Sequence, residues 1–105
     1  MHFTWGDACD GWWLVADPSL SVIEERMPPG TAEALHFHRI ARQFFYVLSG
    51  VLTFELGKTN CTVIAGEGVE VAPGIEHRVS NCSDGEVRFL VVSCPSTDGD
   101  RIAAE

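Results

Sequence analysis

Gly30-Thr31-Ala32-Glu33-Ala34-Leu35-His36-Phe37-His38-Arg39-Ile40-Ala41-Arg42-Gln43, closed after six more residues by Gly50, is the stretch on which the reading of this chain turns. His36 and His38 are two positions apart, so on a strand both imidazoles leave the same face. Their nitrogens then reach a common ion at the ~2.0–2.1 Å typical of imidazole ligation. Taken alone, the pair is equally satisfied by two surface or hydrogen-bonded histidines. A second stretch, Gly66-Glu67-Gly68-Val69-Glu70-Val71-Ala72-Pro73-Gly74-Ile75-Glu76-His77-Arg78-Val79-Ser80-Asn81, adds a third histidine directly after a Pro-Gly turn, where a strand begins.

Around these stretches the pattern is that of short strands separated by turn residues. Expected strands are Trp12 to Ala16, Leu20 to Met27, His36 to Arg39, Gln43 to Ser49, Val51 to Leu56, Cys61 to Ile64, Val69 to Val71, His77 to Asn81 and Val87 to Cys94. Asp17-Pro18, Pro28-Pro29-Gly30, Gly57-Lys58-Thr59-Asn60 and Ser83-Asp84-Gly85 punctuate them. The tail after Pro95 is polar and reads as a helical turn or a frayed end. No repeat or low-complexity tract interrupts residues 1–105, which predict a single all-β domain closed as a sandwich or barrel. Closure also removes the exposed edges of so small a sheet protein.

The spacing of the two stretches resembles the paired motifs of the cupin superfamily. In the first motif, at 30–50, Gly30, His36, His38 and Gly50 fall in register, and Gln43 stands where a glutamate is usual. In the second, at 66–81, Gly66, Gly74, His77 and Asn81 fall in register, with Ala72 at the proline position and Pro73 one residue later. The resemblance implies a single-domain cupin-type β-barrel, a double-stranded β-helix or jelly roll. It further implies one divalent metal ion held inside by His36, His38, Gln43 and His77. A glutamine supplies a neutral carbonyl oxygen where glutamate supplies an anion, so the ion would keep its full charge and act as a stronger Lewis acid. Imidazoles suit Zn, Ni, Fe and Mn alike, which leaves the metal's identity open. Loss of the metal is disfavoured, because three buried imidazoles without a role are costly.

Composition narrows the function. Apolar residues make up 46% and charged residues 21% of 105 residues, as in an ordinary globular chain. Seven Lys+Arg against fifteen Asp+Glu give a net charge of -8, with no basic stripe to meet phosphates. Nucleic acid is therefore an unexpected partner. No apolar run approaches the ~18–20 residues of a membrane helix. The first residues lack the basic and apolar regions of a signal peptide, so a cytoplasmic location is expected. Cys9, Cys61, Cys82 and Cys94 contain no Cys-x-x-Cys pair and read as reduced, mostly buried thiols.

Phe45, Val47, Leu52 and Phe54 are expected to point inward, while Phe44, Tyr46 and Leu48 alternate onto the outer face, where a homodimer contact would cover them. Arg78 alternates away from His77 and suits a surface ion pair. Trp12 and Trp13 read as packing at one barrel end, and His2 as idle in a frayed N-terminus. No general base stands out. Since a fold does not fix a reaction, three functions remain open. One is a metal-dependent isomerase- or lyase-type enzyme acting as a Lewis acid on a small polar ligand, such as a sugar or sugar acid. The others are a non-haem Fe or Mn dioxygenase, and a non-catalytic cupin that binds a small molecule.

Overall fold

The computed structural model describes residues 1–104. Eleven strands follow in chain order: β1 (His2–Trp5), β2 (Cys9–Asp17), β3 (Leu20–Met27), β4 (His36–His38), β5 (Arg42–Ser49), β6 (Val51–Leu56), β7 (Thr59–Ile64), β8 (Gly68–Val71), β9 (His77–Ser80), β10 (Val87–Cys94) and β11 (Arg101–Ala103). They form two antiparallel sheets, one in the order β1-β2-β3-β10-β5-β8, the other in the order β11-β4-β9-β6-β7. Among the described residues there is no helix. The all-β, double-stranded β-helix expectation is met.

Period-2 alternation builds the interior. In β10, Val87, Phe89, Val91 and Ser93 are buried and the residues between them are not. In β5, Gln43, Phe45 and Val47 alternate in the same way. Leu52 and Phe54 of β6 and Val79 of β9 meet them from the opposite sheet, all fully buried. Phe45 and Phe54 pack edge to face at 4.9 Å between ring centroids, an arrangement favoured by the ring quadrupoles. The inward placement of Phe45, Val47, Leu52 and Phe54 thus holds, and Phe44 and Leu48 lie exposed on the outer face.

The motif residues outside the histidines do structural work. Gly50 sits at φ 83°, and a Cβ there would lie 2.4 Å from the Glu86 carbonyl oxygen. Only glycine meets both conditions. The buried Asn81 donates to the carbonyls of Met27 and Gly85 and accepts from the Ser83 amide and hydroxyl. The Asn81 backbone also pairs with Gly30 and Thr31, which joins the start of the first motif to the end of the second.

Four expectations need correcting. The N-terminus is ordered as β1, whose Phe3 ring lies over Gly11; any Cβ at Gly11 would fall within 2.2 Å of that ring. His2 is not idle, since its Nε2 contacts Asp10 Oδ1 at 2.7 Å. The tail is neither helical nor frayed: residues 101–103 pair with β4 as an edge strand. Cys9 alone is buried; Cys94 faces outward on β10, Cys82 lies in the loop after β9, and Cys61, though opposite the buried Phe54, sits on the edge strand β7, where none of the described residues covers it; all four are free thiols.

Candidate metal centre

Two strands, β4 and β9, bring the histidines together. His36 and His38 share one face of β4, and His36 lies directly opposite His77 in the β4–β9 register. Directly opposed residues of an antiparallel pair share a face, so all three rings enter the barrel. Their ring centroids are 4.4–5.6 Å apart, and one nitrogen from each lies within 4.8 Å of the other two. The three are 0–5% exposed.

Backbone carbonyls fix each ring. The Nδ1 atoms of His36, His38 and His77 bond the carbonyls of Ala34, Asp100 and Ile75 at 2.8, 3.2 and 3.0 Å. A carbonyl only accepts, so each Nδ1 carries the proton and each Nε2 is left as a lone-pair donor. Burial pushes the His36 imidazolium down to about 4, and lowers His38 and His77 as well. Neutral imidazoles are the form that binds metal.

Gln43, 5% exposed, enters the same cavity from the facing sheet. Its Nε2 donates to Ser93 Oγ at 3.1 Å, while its Oε1 is buried without a hydrogen-bond partner. His77 Nε2 is likewise buried and unpartnered. Buried polar atoms are rarely left unmet, and ligation of an ion is a role that would satisfy each. The group of three histidines could therefore hold a metal ion, with a neutral oxygen from Gln43 available beside it.

Three further residues of this cavity escaped the sequence reading. Glu25 alternates with Ser21, Ile23 and Met27 on the inner face of β3 and lies opposite Phe89. A charged residue at an inward strand position was the signal that could have revealed it. Glu33 precedes β4 and brings a carboxylate oxygen to 3.9 Å from His36 Nδ1. Arg101 lies opposite His38 in the β11–β4 register. Burial raises the Glu25 carboxyl to about 7 and the Glu33 carboxyl to about 8, and the charge of Arg101 opposes both shifts. The cavity measures about 250 Å³, with Phe3, Trp5 and Trp13 forming its apolar wall. A larger open groove of about 640 Å³, beside Trp13, Asp17 and Pro18, contains none of the histidines.

Arg78 forms the expected ion pair, a two-pronged contact with Glu55. Trp13 lines the cavity, whereas Trp12 stays outside with Arg88 5.2 Å over its ring. No described helix is long and apolar enough to cross a membrane.

Comparison with known proteins places this architecture. The Cupin domain family matches residues 23–93, more than half of the chain. The chain belongs to the cupins. Its fold is shared with an uncharacterized conserved protein with a double-stranded β-helix domain from Klebsiella pneumoniae (22% identity, 89% of this chain and 82% of that one, TM-score 0.79). It is shared too with a predicted oxalate decarboxylase from Thermotoga maritima (20%, 84% and 81%, TM-score 0.78). A sugar phosphate isomerase of the cupin superfamily from Silicibacter pomeroyi is similarly close (22%, 86% and 61%, TM-score 0.77). At these identities the likeness is one of fold. No curated protein sequence matches the chain.

Proposed function

We propose that this cupin binds one divalent metal ion through His36, His38, His77 and Gln43 and acts on a small polar molecule, of the sugar or sugar-acid type, held beside that ion. The observation that carries the reading is the convergence of three buried, neutral imidazoles with unprotonated Nε2 atoms within 4.8 Å of one another, two of which, His36 and His38, line a cavity together with Gln43, whose Oε1 is unpartnered. When bound, the ion supplies Lewis-acid polarisation of a ligand carbonyl or hydroxyl. The protein's own contribution is a neutral donor set, which leaves the ion's charge undiminished. The aromatic wall of Phe3, Trp5 and Trp13 excludes water on one side. Glu25 and Glu33 present oxygen atoms able to hydrogen-bond ligand hydroxyls.

The test compares metal-loaded with chelator-stripped protein, each incubated with aldoses, ketoses and sugar acids and followed by NMR and an oxygen electrode. Metal-dependent conversion without oxygen uptake is expected. Oxygen consumption coupled to turnover would replace this reading with the dioxygenase. Binding without conversion across the panel would leave a ligand-binding cupin. A homodimer through the outer face of β5, where Phe44 and Leu48 are about two-fifths exposed, belongs to the same proposal, and sedimentation equilibrium at micromolar concentration would test it.

A further inference from the structure

Arg101 is held in place with unusual thoroughness for a residue so near the end of the chain. The preceding residue, Asp100, accepts hydrogen bonds from the backbone amides of Arg39, Ile40 and Ala41, each at 3.0 Å. The Asp100 carbonyl accepts from His38 Nδ1. The β11–β4 register then sets Arg101 directly opposite His38, so its side chain leaves the sheet on the face from which the histidines enter the barrel. It lines the same 250 Å³ cavity as His36, His38, Gln43, Glu25 and Glu33, and it remains exposed, which puts it at the mouth.

The guanidinium does not close an ion pair with either glutamate. Among the described residues no carboxylate oxygen lies within 4 Å of it, whereas every other arginine except Arg39 has such a partner. A cation fixed at a cavity mouth without a protein counter-ion is open to an anionic ligand. Arginine's planar fork fits a carboxylate or a phosphate with two parallel hydrogen bonds. A dianionic phosphate would meet one cation and two nearby acidic side chains, and a carboxylate carries half that charge. The cavity is smaller than the ~300–1,000 Å³ usual for drug-sized ligands, so its occupant is of monosaccharide size. Glu25 and Glu33 offer oxygens to hydroxyls, and three aromatic faces offer surface for C–H groups.

We propose that Arg101 is the specificity-determining residue of the cavity, and that it receives the carboxylate of a small polyhydroxy acid whose hydroxyls face Glu25, Glu33 and the histidine cluster. This rests on the functional reading above, narrowed from small polar molecules to monocarboxylates. In the chain as a whole, with a net charge of -8, a fixed positive charge at the entrance also offsets the long-range repulsion such an anion would feel.

The test is calorimetric binding of D-gluconate, D-glucitol and D-ribose 5-phosphate to the full chain carrying the metal it retains, and to the same protein after chelation. Arg101→Ala and Arg101→Lys are measured alongside, with metal content and melting temperature recorded for each. The expected result is that gluconate binds more tightly than either of the other probes. Arg101→Ala should lose about tenfold or more of that affinity, with metal content and fold unchanged, and Arg101→Lys should fall between. Any of three results overturns the proposal: no gluconate binding, equal binding by Arg101→Ala, or a preference for glucitol or the phosphate. Should gluconate selectivity survive in a protein that takes up no metal, the metal reading fails and the assignment of Arg101 stands.

Discussion

Gln43→Glu is the substitution that most directly separates a ligand from a bystander, because it alters one donor atom and little volume. The glutamine amide donates to Ser93 Oγ at 3.1 Å, and the side chain is 5% exposed. A glutamic acid there stays protonated, since the neutral imidazoles around it offer no counter-charge, and its hydroxyl can replace the donor to Ser93. The cost to the metal-free fold is therefore within the ~1 kcal/mol of a single hydrogen bond. With metal bound, the proton leaves and an anion faces the ion. Charged contacts contribute about 1.5–3 kcal/mol where neutral ones give about 1. The net gain of about 1–2 kcal/mol is roughly five- to thirty-fold in metal affinity. Because a proton is released on binding, affinity should also climb more steeply with pH than in the wild type. Competition against a chromogenic chelator between pH 6 and 8 measures both effects. Unchanged affinity with unchanged pH dependence would show that Gln43 Oε1 does not touch the ion.

The remaining expectations follow from the same geometry. Metal should be retained well below the ~6.5 at which exposed histidines protonate and be released only as pH nears 4, the value to which burial lowers His36; dialysis across pH 7 to 3.5 with metal analysis checks this, and release centred near 6.5 would refute it. For the metal-free chain the sign is set by the same group. Between about 6.5 and 4 the unfolded state binds protons that folded His36 does not, so its share of stability falls as pH falls through that window. Glu33 acts oppositely: folded, its raised carboxyl keeps up to about 8 a proton that the unfolded chain gives up near 4.5, so its contribution falls as pH rises from about 4.5 to about 8 and is level above that. Glu33→Gln should gain melting temperature over wild type progressively from about pH 5 to 8, and a constant difference across that range would contradict the burial argument. Asp100→Ala frees three backbone amides and loosens the carbonyl that orients His38, so metal affinity should weaken by about tenfold, as read by the same chelator competition.

The fold was largely legible because alternation and turns are local. Leu20–Met27, Val51–Leu56 and Val87–Cys94 have the bounds that their bracketing turns imply. The three histidines were legible for the same reason, since strand period and motif spacing determine which side chains share a face. What stayed hidden depends on pairing across the chain. β1 is held by Phe3 seated on Gly11. β11 exists because Asp100 caps a turn sixty residues away. Neither partner is announced by local composition. Glu25 and Arg101 were missed because their meaning comes from the cavity they share, which forms only when both sheets close. The exposed Cys61, Cys82 and Cys94 show the converse error, in which a residue type's usual burial was assigned without asking whether its place on an outer face, in a loop or on an edge strand leaves it covered.

The central claim is that His36, His38 and His77 hold one ion. It is tested by elemental analysis of the untagged protein, purified without added metal, beside His38→Ala and His77→Ala, with circular dichroism confirming that each keeps its sheet. About one equivalent of a divalent transition metal in the wild type and almost none in either folded variant is the predicted result. A wild type that takes up no metal even after reconstitution, or variants that retain it fully, would contradict the account.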